Sequence, residues 1–179
     1  MRSDLGTALE MALTDPMTGL YNQRYLRRHL AGLVDGGHGR QLAVLMVDVD
    51  HFKSVNDRFG HAAGDHALRL IAETLRENTR VFDSLARYGG EEFVVVMPGT
   101  GPEDAAAAGE RLRAAVATLP FEPETGKPSM LTVSIGIACA DAQPVTPDGL
   151  LHAADLALYE AKRGGRNQVR MAPAEPAPT

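Results

Sequence analysis

The chain has 179 residues, of which 44% are hydrophobic and 23% charged, and a net charge of −5. That balance excludes a disordered or fibrous chain and allows one globular domain with a full core. The acidic surplus argues against a general nucleic-acid binder, since phosphate backbones reward basic surfaces, and no run approaches the roughly 18 apolar residues of a membrane helix.

Residues 1–14 read as a linker helix, with Leu5, Leu9 and Leu13 at helical spacing. So short a helix is marginal alone, so it packs on the domain or continues an upstream element. Asp15-Pro16 should end it, because the residue before proline avoids the helical region. A turn over Met17 to Asn22 leads to a helix of about Gln23 to Val34, then a flexible loop over Asp35-Gly36-Gly37-His38-Gly39. Gln41 to Val49 is nearly continuously apolar, as a central strand covered on both faces would be. It ends in Asp48-Val49-Asp50, and a charge there is costly unless something pairs with it. Asp48 is therefore a candidate ligand, while Asp50 is either a functional carboxylate or the cap of the next helix.

A short helix over His51 to Asp57, a loop over Phe59 to Asp65 with two glycines, and a helix from His66 to Thr79 are expected next. Two apolar runs, Ser84 to Tyr88 and Phe93 to Met97, flank Gly89-Gly90 and read as a hairpin, because glycine tolerates the positive φ of primed turns. Glu91 and Glu92 follow at once, on opposite faces of the second strand. Carboxylates pinned there can hold a divalent cation through hard oxygens, although such a turn taken alone is most simply a surface hairpin. Pro102 to Leu119 is an alanine-rich helix and Pro120 to Ser129 a polar loop. Met130 to Ala140 alternates, with Val133, Ile135, Ile137 and Cys139 on one face and Thr132, Ser134, Gly136 and Ala138 on the other, which makes Cys139 a buried small apolar residue. A last helix over Asp148 to Lys162, a strand over Asn167 to Met171 and a disordered Pro- and Ala-rich tail over 172–179 complete the chain.

This order predicts an α+β fold: a ferredoxin-like split βαβ core with additions, its mainly antiparallel sheet flanked by helices. In such a core the first strand ends beside the hairpin, so Asp48, Glu91 and Glu92 converge across about 40 residues of chain.

Arg87-Tyr88-Gly89-Gly90-Glu91-Glu92-Phe93 resembles the signature of the GGDEF diguanylate cyclases in its Gly-Gly-Glu-Glu-Phe form, with a hairpin near-identical to that of the response-regulator-linked members. Asp15-Pro16-Met17-Thr18-Gly19-Leu20-Tyr21-Asn22, Asp48 to Asp57, Phe59 to Asp65, Leu131 to Gly136 and Ala154 to Asn167 resemble further family motifs in the right order, with Met17 where leucine is commoner and Gln23 where arginine is usual. The resemblance implies a catalytic domain over 15–171 that condenses two GTP molecules into cyclic di-GMP and two pyrophosphates. Carried over, Asp48, Glu91 and Glu92 are catalytic, and Asp48, Glu91, Glu92 and the Val49 carbonyl hold Mg²⁺ or Mn²⁺. Glu92 is then either a second metal ligand or a group near the attacking hydroxyl. Asn56 and Asp65 read guanine, Phe52, Lys53 and Gly90 line the substrate, and Lys162 and Arg166 neutralise the outer phosphates. Arg80-Val81-Phe82-Asp83 resembles the inhibitory Arg-x-x-Asp motif, so Arg80 and Asp83, with Arg87 and Arg111, are expected to bind cyclic di-GMP as inhibitor.

The same resemblance implies a homodimer during catalysis and an upstream sensory or receiver domain outside this sequence, and it implies no nucleic-acid partner. One cysteine and no signal-peptide pattern suit a cytoplasmic domain, whatever membrane tether an upstream domain carries. Two other readings stay open: a degenerate module that binds cyclic di-GMP or GTP without turnover, and a palm-type cyclase that makes a mononucleotide.

Overall fold

The structure, a computed structural model, describes residues 2–36, 41–140 and 145–174. Eleven elements follow one another: α1 (Arg2–Leu13), α2 (Gln23–Gly36), β1 (Leu42–Val49), α3 (Phe52–Phe59), α4 (His61–Glu77), β2 (Ser84–Arg87), β3 (Glu92–Pro98), α5 (Pro102–Ala117), β4 (Val133–Ala140), α6 (Pro147–Arg163) and β5 (Val169–Met171). The five strands lie in the order β2-β3-β1-β4-β5. All neighbours pair antiparallel except β4 and β5. The first four are the split βαβ core that the element order predicts, and β5 is an added edge strand.

β1 is buried along its whole length, because helices cover both faces of the sheet. Its residues Ala43, Leu45, Val47 and Val49 pack with α3, α4 and α5, whereas Leu42, Val44 and Met46 pack with α2 and α6. Alternation along the strand thus sorts each side chain to a layer. Asp48 belongs to the second set and points toward α6. On β4 the small residues face the same way. A Cβ at Gly136 would lie 2.1 Å from the Ala154 carbonyl oxygen and 2.2 Å from the Leu158 nitrogen. Only glycine lets α6 come that close to the sheet.

Five sequence expectations change. Gly89 and Gly90 form the turn between β2 and β3 without the positive φ expected of them. Phe59 to Asp65 is not a loop: Gly60, at φ 88°, is the single break between α3 and α4, and Gly64 lies inside α4. A glycine within a helical pattern looks like punctuation in sequence, and here it answers to packing instead. Asp35 and Gly36 close α2, while 37–39 of the expected loop lie outside the described residues. Met130 to Thr132 precede β4 without belonging to it. Ala172, expected in a disordered tail, donates its N–H to the Ile137 carbonyl at 2.7 Å and packs on the α2/α6 side of the core; 175–179 lie outside the described residues. On α1, Leu5 and Leu9 are 76% and 63% exposed, so its apolar stripe is not covered by this chain. Among the described residues no helix is long and apolar enough to cross a membrane.

Candidate active site

Strand register assembles the acidic floor. Asp48 on β1 sits directly across from Glu92 on β3 and from Ser134 on β4. The Val49 N–H donates to the Glu91 carbonyl at 3.2 Å, which fixes the start of β3 against the end of β1. From α6, Lys162 places Nζ 3.1 Å from Asp48 Oδ2. Burial raises the Asp48 carboxyl above the ordinary range, against the pull of Lys162, and Glu91 lies in hydrogen-bonding contact with it. Glu91 is raised first by burial and then by Asp48; Glu92 is raised by burial, by Asp48 and by Asp155 of α6. Three carboxyls and one ammonium therefore share one end of the sheet, with negative charge in excess.

Beside this floor opens a cleft of about 640 Å³. One wall comes from α3 and α4 through Phe52, Lys53, Asn56, His61, Asp65 and Leu68, the other from Arg87 and the turn Gly89 to Glu92. The volume lies within the usual range for a small-ligand pocket. Gly64 has no side chain because Asn56 fills its space: a Cβ there would lie 1.8 Å from Asn56 Oδ1. Sequence reasoning missed His61, Leu68 and Gly89 as lining residues. His61, Asp65 and Leu68 fall at i, i+4 and i+7, the signal of a shared helix face, but it is legible only once α4 is known to begin at His61.

Arg166 stands in the turn after α6, exposed and at φ 65°, with its own N–H on the Ala161 carbonyl at 3.0 Å. Asp50 caps nothing. The residue at the start of α3 is His51, in the left-handed region and without a side-chain cap, and the Asp50 carboxylate instead accepts from Thr132, Ser134 and the Asn167 N–H. A charge that had no packing role in the sequence finds three neutral donors in the fold.

The Arg80 guanidinium grips the Asp83 carboxylate with two nitrogens, at 3.2 and 3.1 Å, and also reaches the Thr100 hydroxyl; the Asp83 side chain is fully covered. Arg111 donates to the Asn78 carbonyl, two residues before Arg80. Arg87, expected with these three, lies at the Gly-Gly-Glu-Glu hairpin. It pairs with Asp15 at 3.3 Å and donates to the Gly90 carbonyl at 2.7 Å. Burial raises the Asp15 carboxyl, but its bonds from Thr18 and the Arg87 charge outweigh that and hold it below the ordinary range.

The oxygen-rich floor fits a hard divalent cation. Among the described residues no three His, Cys, Asp or Glu side chains form a ready-made cage, and an open carboxylate set is what Mg²⁺ uses when it keeps waters and substrate phosphates.

A palm-like nucleotide-cyclase sheet with an acidic end, a flanking cleft and a Gly-Gly-Glu-Glu hairpin defines a class of nucleotide-handling domain. The sequence matches the family described as diguanylate cyclase, GGDEF domain, over residues 12–168, and the chain belongs to that family. It is 43% identical over 172 residues to the response regulator PleD of Caulobacter vibrioides, covering 94% of this chain and 38% of PleD. It is 44% identical over 172 residues to the diguanylate cyclase DgcP of Pseudomonas aeruginosa, covering 95% of this chain and 25% of DgcP. The chain thus spans well under half the length of these relatives. The GGDEF domain of DgcB from Caulobacter crescentus, solved in complex with c-di-GMP, superposes with a TM-score of 0.86 at 32% identity, over 91% of this chain and 94% of that one.

Proposed function

We propose that this domain condenses two GTP molecules into cyclic di-GMP with release of two pyrophosphates. The observation that carries the reading is the juxtaposition of Asp48, Glu91 and Glu92 with Lys162 beside a cleft whose far wall holds Asn56 and Asp65. Asp65 would accept from the N1–H and N2–H₂ of guanine and Asn56 would read its edge, with Phe52 and Leu68 as apolar neighbours. Backbone N–H groups at the start of α3, from His51 to Lys53, and the turn at Gly90 would receive the phosphates. Asp48, Glu91, Glu92 and the Val49 carbonyl would hold Mg²⁺ or Mn²⁺, which when bound supplies positive charge at the α-phosphate and acidifies the attacking 3′-hydroxyl. Lys162, which meanwhile neutralises Asp48, and Arg166 would turn to the β- and γ-phosphates.

One domain holds one GTP, so the symmetric product requires two domains facing each other across a two-fold axis. Holding both substrates there makes each attack effectively intramolecular, a gain of several kcal/mol. An upstream sensory or receiver domain would set how often the two domains meet, in a cytoplasm that supplies the GTP. The pre-gripped pair Arg80 and Asp83, with Arg111 close by, supports a separate site where cyclic di-GMP inhibits its own synthesis. Arg87, bonded to Asp15 and the Gly90 carbonyl at the other end of β2, would instead brace the hairpin beside the cleft.

Turnover of GTP by the wild type and by Glu91→Ala tests the assignment. The variant should lose at least about 100-fold in rate, as removal of an electrostatic group at the reacting phosphate does, and keep its fold. Near-normal activity at saturating Mg²⁺ would show that the ligand assignment is wrong. Calorimetry with cyclic di-GMP on Arg80→Ala and Asp83→Ala should find binding lost while initial rates stay close to wild type, and undiminished binding in both would return the motif to a surface ion pair.

A further inference from the structure

The turn after α6 is held in an uncommon conformation. Arg166 and Asn167 are consecutive non-glycine residues at φ 65° and 46°, a region that sterics disfavour for most side chains and asparagine tolerates best. Such geometry persists where surrounding groups over-determine it. Asp50, 7% exposed, does so from the end of β1. Its Oδ2 accepts from the Asn167 N–H at 2.9 Å and from the Thr132 hydroxyl at 2.7 Å, and its Oδ1 from the Ser134 hydroxyl at 2.7 Å. On the other side Arg113 of α5 donates to Asn167 Oδ1 at 2.8 Å and is itself held by Glu110, Nε to Oε2, at 2.9 Å. Hydroxyls can rotate to donate or accept, but the Asn167 N–H can only donate. The Asp50 carboxylate, fixed by three donors, is the acceptor that meets it.

This clamp joins two parts of the site. Asp50 lies two residues beyond Asp48, while the residues it immobilises follow Lys162 and include Arg166. We propose that Asp50 is a positioning residue for triphosphate recognition: through the Asn167 amide it fixes the turn at 164–167, and so aims Arg166, relative to the strand end that carries Asp48. The inference rests on the assignment of Arg166 to the outer phosphates, and its test separates the two.

Binding of a non-hydrolysable GTP analogue and of GMP, each with Mg²⁺, would be measured on wild type, Asp50→Ala, Asp50→Asn, Arg166→Ala and the Asp50→Ala/Arg166→Ala double variant. Amide exchange across 164–168 would be followed without nucleotide. D50A should weaken the triphosphate about tenfold, the scale of one lost charge-assisted hydrogen bond, leave GMP unchanged, and speed exchange at 164–168 above the rest of the sheet end. D50N should restore most of the affinity, since its carboxamide oxygen can accept from Asn167 while its N–H₂ donates to Ser134. The double variant should bind no more weakly than R166A, because both changes remove one interaction. Asp50→Ser, too short to reach the Asn167 amide, carries the same test should D50A not fold. Equal losses for GMP and the triphosphate, or additive losses in the double variant, would overturn the proposal as a merely structural effect. So would unchanged exchange at 164–168 in D50A, whether or not nucleotide binds. A wild type that binds neither nucleotide, with the exchange result as expected, would overturn the phosphate role of Arg166 and leave the clamp as an anchor.

Discussion

At Glu92, burial with Asp48 and Asp155 close by holds the carboxyl above the ordinary carboxylate range. The folded chain therefore keeps this proton to higher pH than the unfolded chain does. By linkage, stability falls as pH rises from the ordinary range through the raised value, and the full cost is present only above that value. Glu92→Gln removes the charge and that cost. It should raise Tm at pH 7 by about 1–4 °C, the scale of one relieved unfavourable group in a domain of this size. The advantage should vanish in acid below the ordinary carboxylate range, where both proteins are neutral at this position. A gain that persists or grows in acid would contradict the electrostatic cause. Gly64 offers a second test at this scale. Alanine is favoured over glycine in a helix by about 1 kcal/mol, yet a Cβ there collides with the movable end of Asn56. Gly64→Ala should keep or raise Tm while raising KM for GTP about tenfold, one hydrogen-bonded contact by the same conversion. A fall in Tm with unchanged KM would mean that Asn56 has no part in binding.

Among the elements, the contact of α6 with β4 decides whether Lys162 reaches Asp48. At Gly136 the atoms a Cβ would meet are α6 backbone, which cannot rotate aside. Gly136→Ala should lift the helix and cost about 3 kcal/mol, the upper end for overpacking, or about 6–12 °C in Tm, with activity falling in parallel. A Tm within about 2 °C of wild type would show that the approach is not tight. This element also shows where the sequence was legible. The small face of β4 and the apolar run of β1 were plain, because burial leaves a period that side-chain chemistry records. The convergence of Asp48 with Glu91 and Glu92 followed from topology, since a split βαβ core ends its first strand beside the hairpin, whereas the register that sets Asp48 opposite Glu92 came only with the fold. Gly64 misled because one residue type serves both turns and close approaches. Asp50 stayed ambiguous because its partners Thr132, Ser134 and Asn167 are more than 80 residues away and ordinary in composition. The resemblance grouped Arg87 with Arg80 and Asp83, whereas strand direction carries it to the other end of β2, against Asp15.

For the molecule as a whole, the proposed reaction needs two copies, with the cleft, the acidic floor and the turn after α6 of each supplying half of it. On that proposal the 3′-hydroxyl bound by one domain attacks the α-phosphate bound by another, and the exposed Leu5 and Leu9 of α1 are an apolar stripe this chain does not cover. The most direct measurement is product analysis over a dilution series: GTP and Mg²⁺ with the domain at concentrations spanning about three decades, products separated and pyrophosphate counted. One cyclic di-GMP and two pyrophosphates should form for every two GTP consumed, with specific activity rising as enzyme concentration rises. GTP returned intact, or converted to a mononucleotide at a specific activity independent of dilution, would contradict a two-domain condensation.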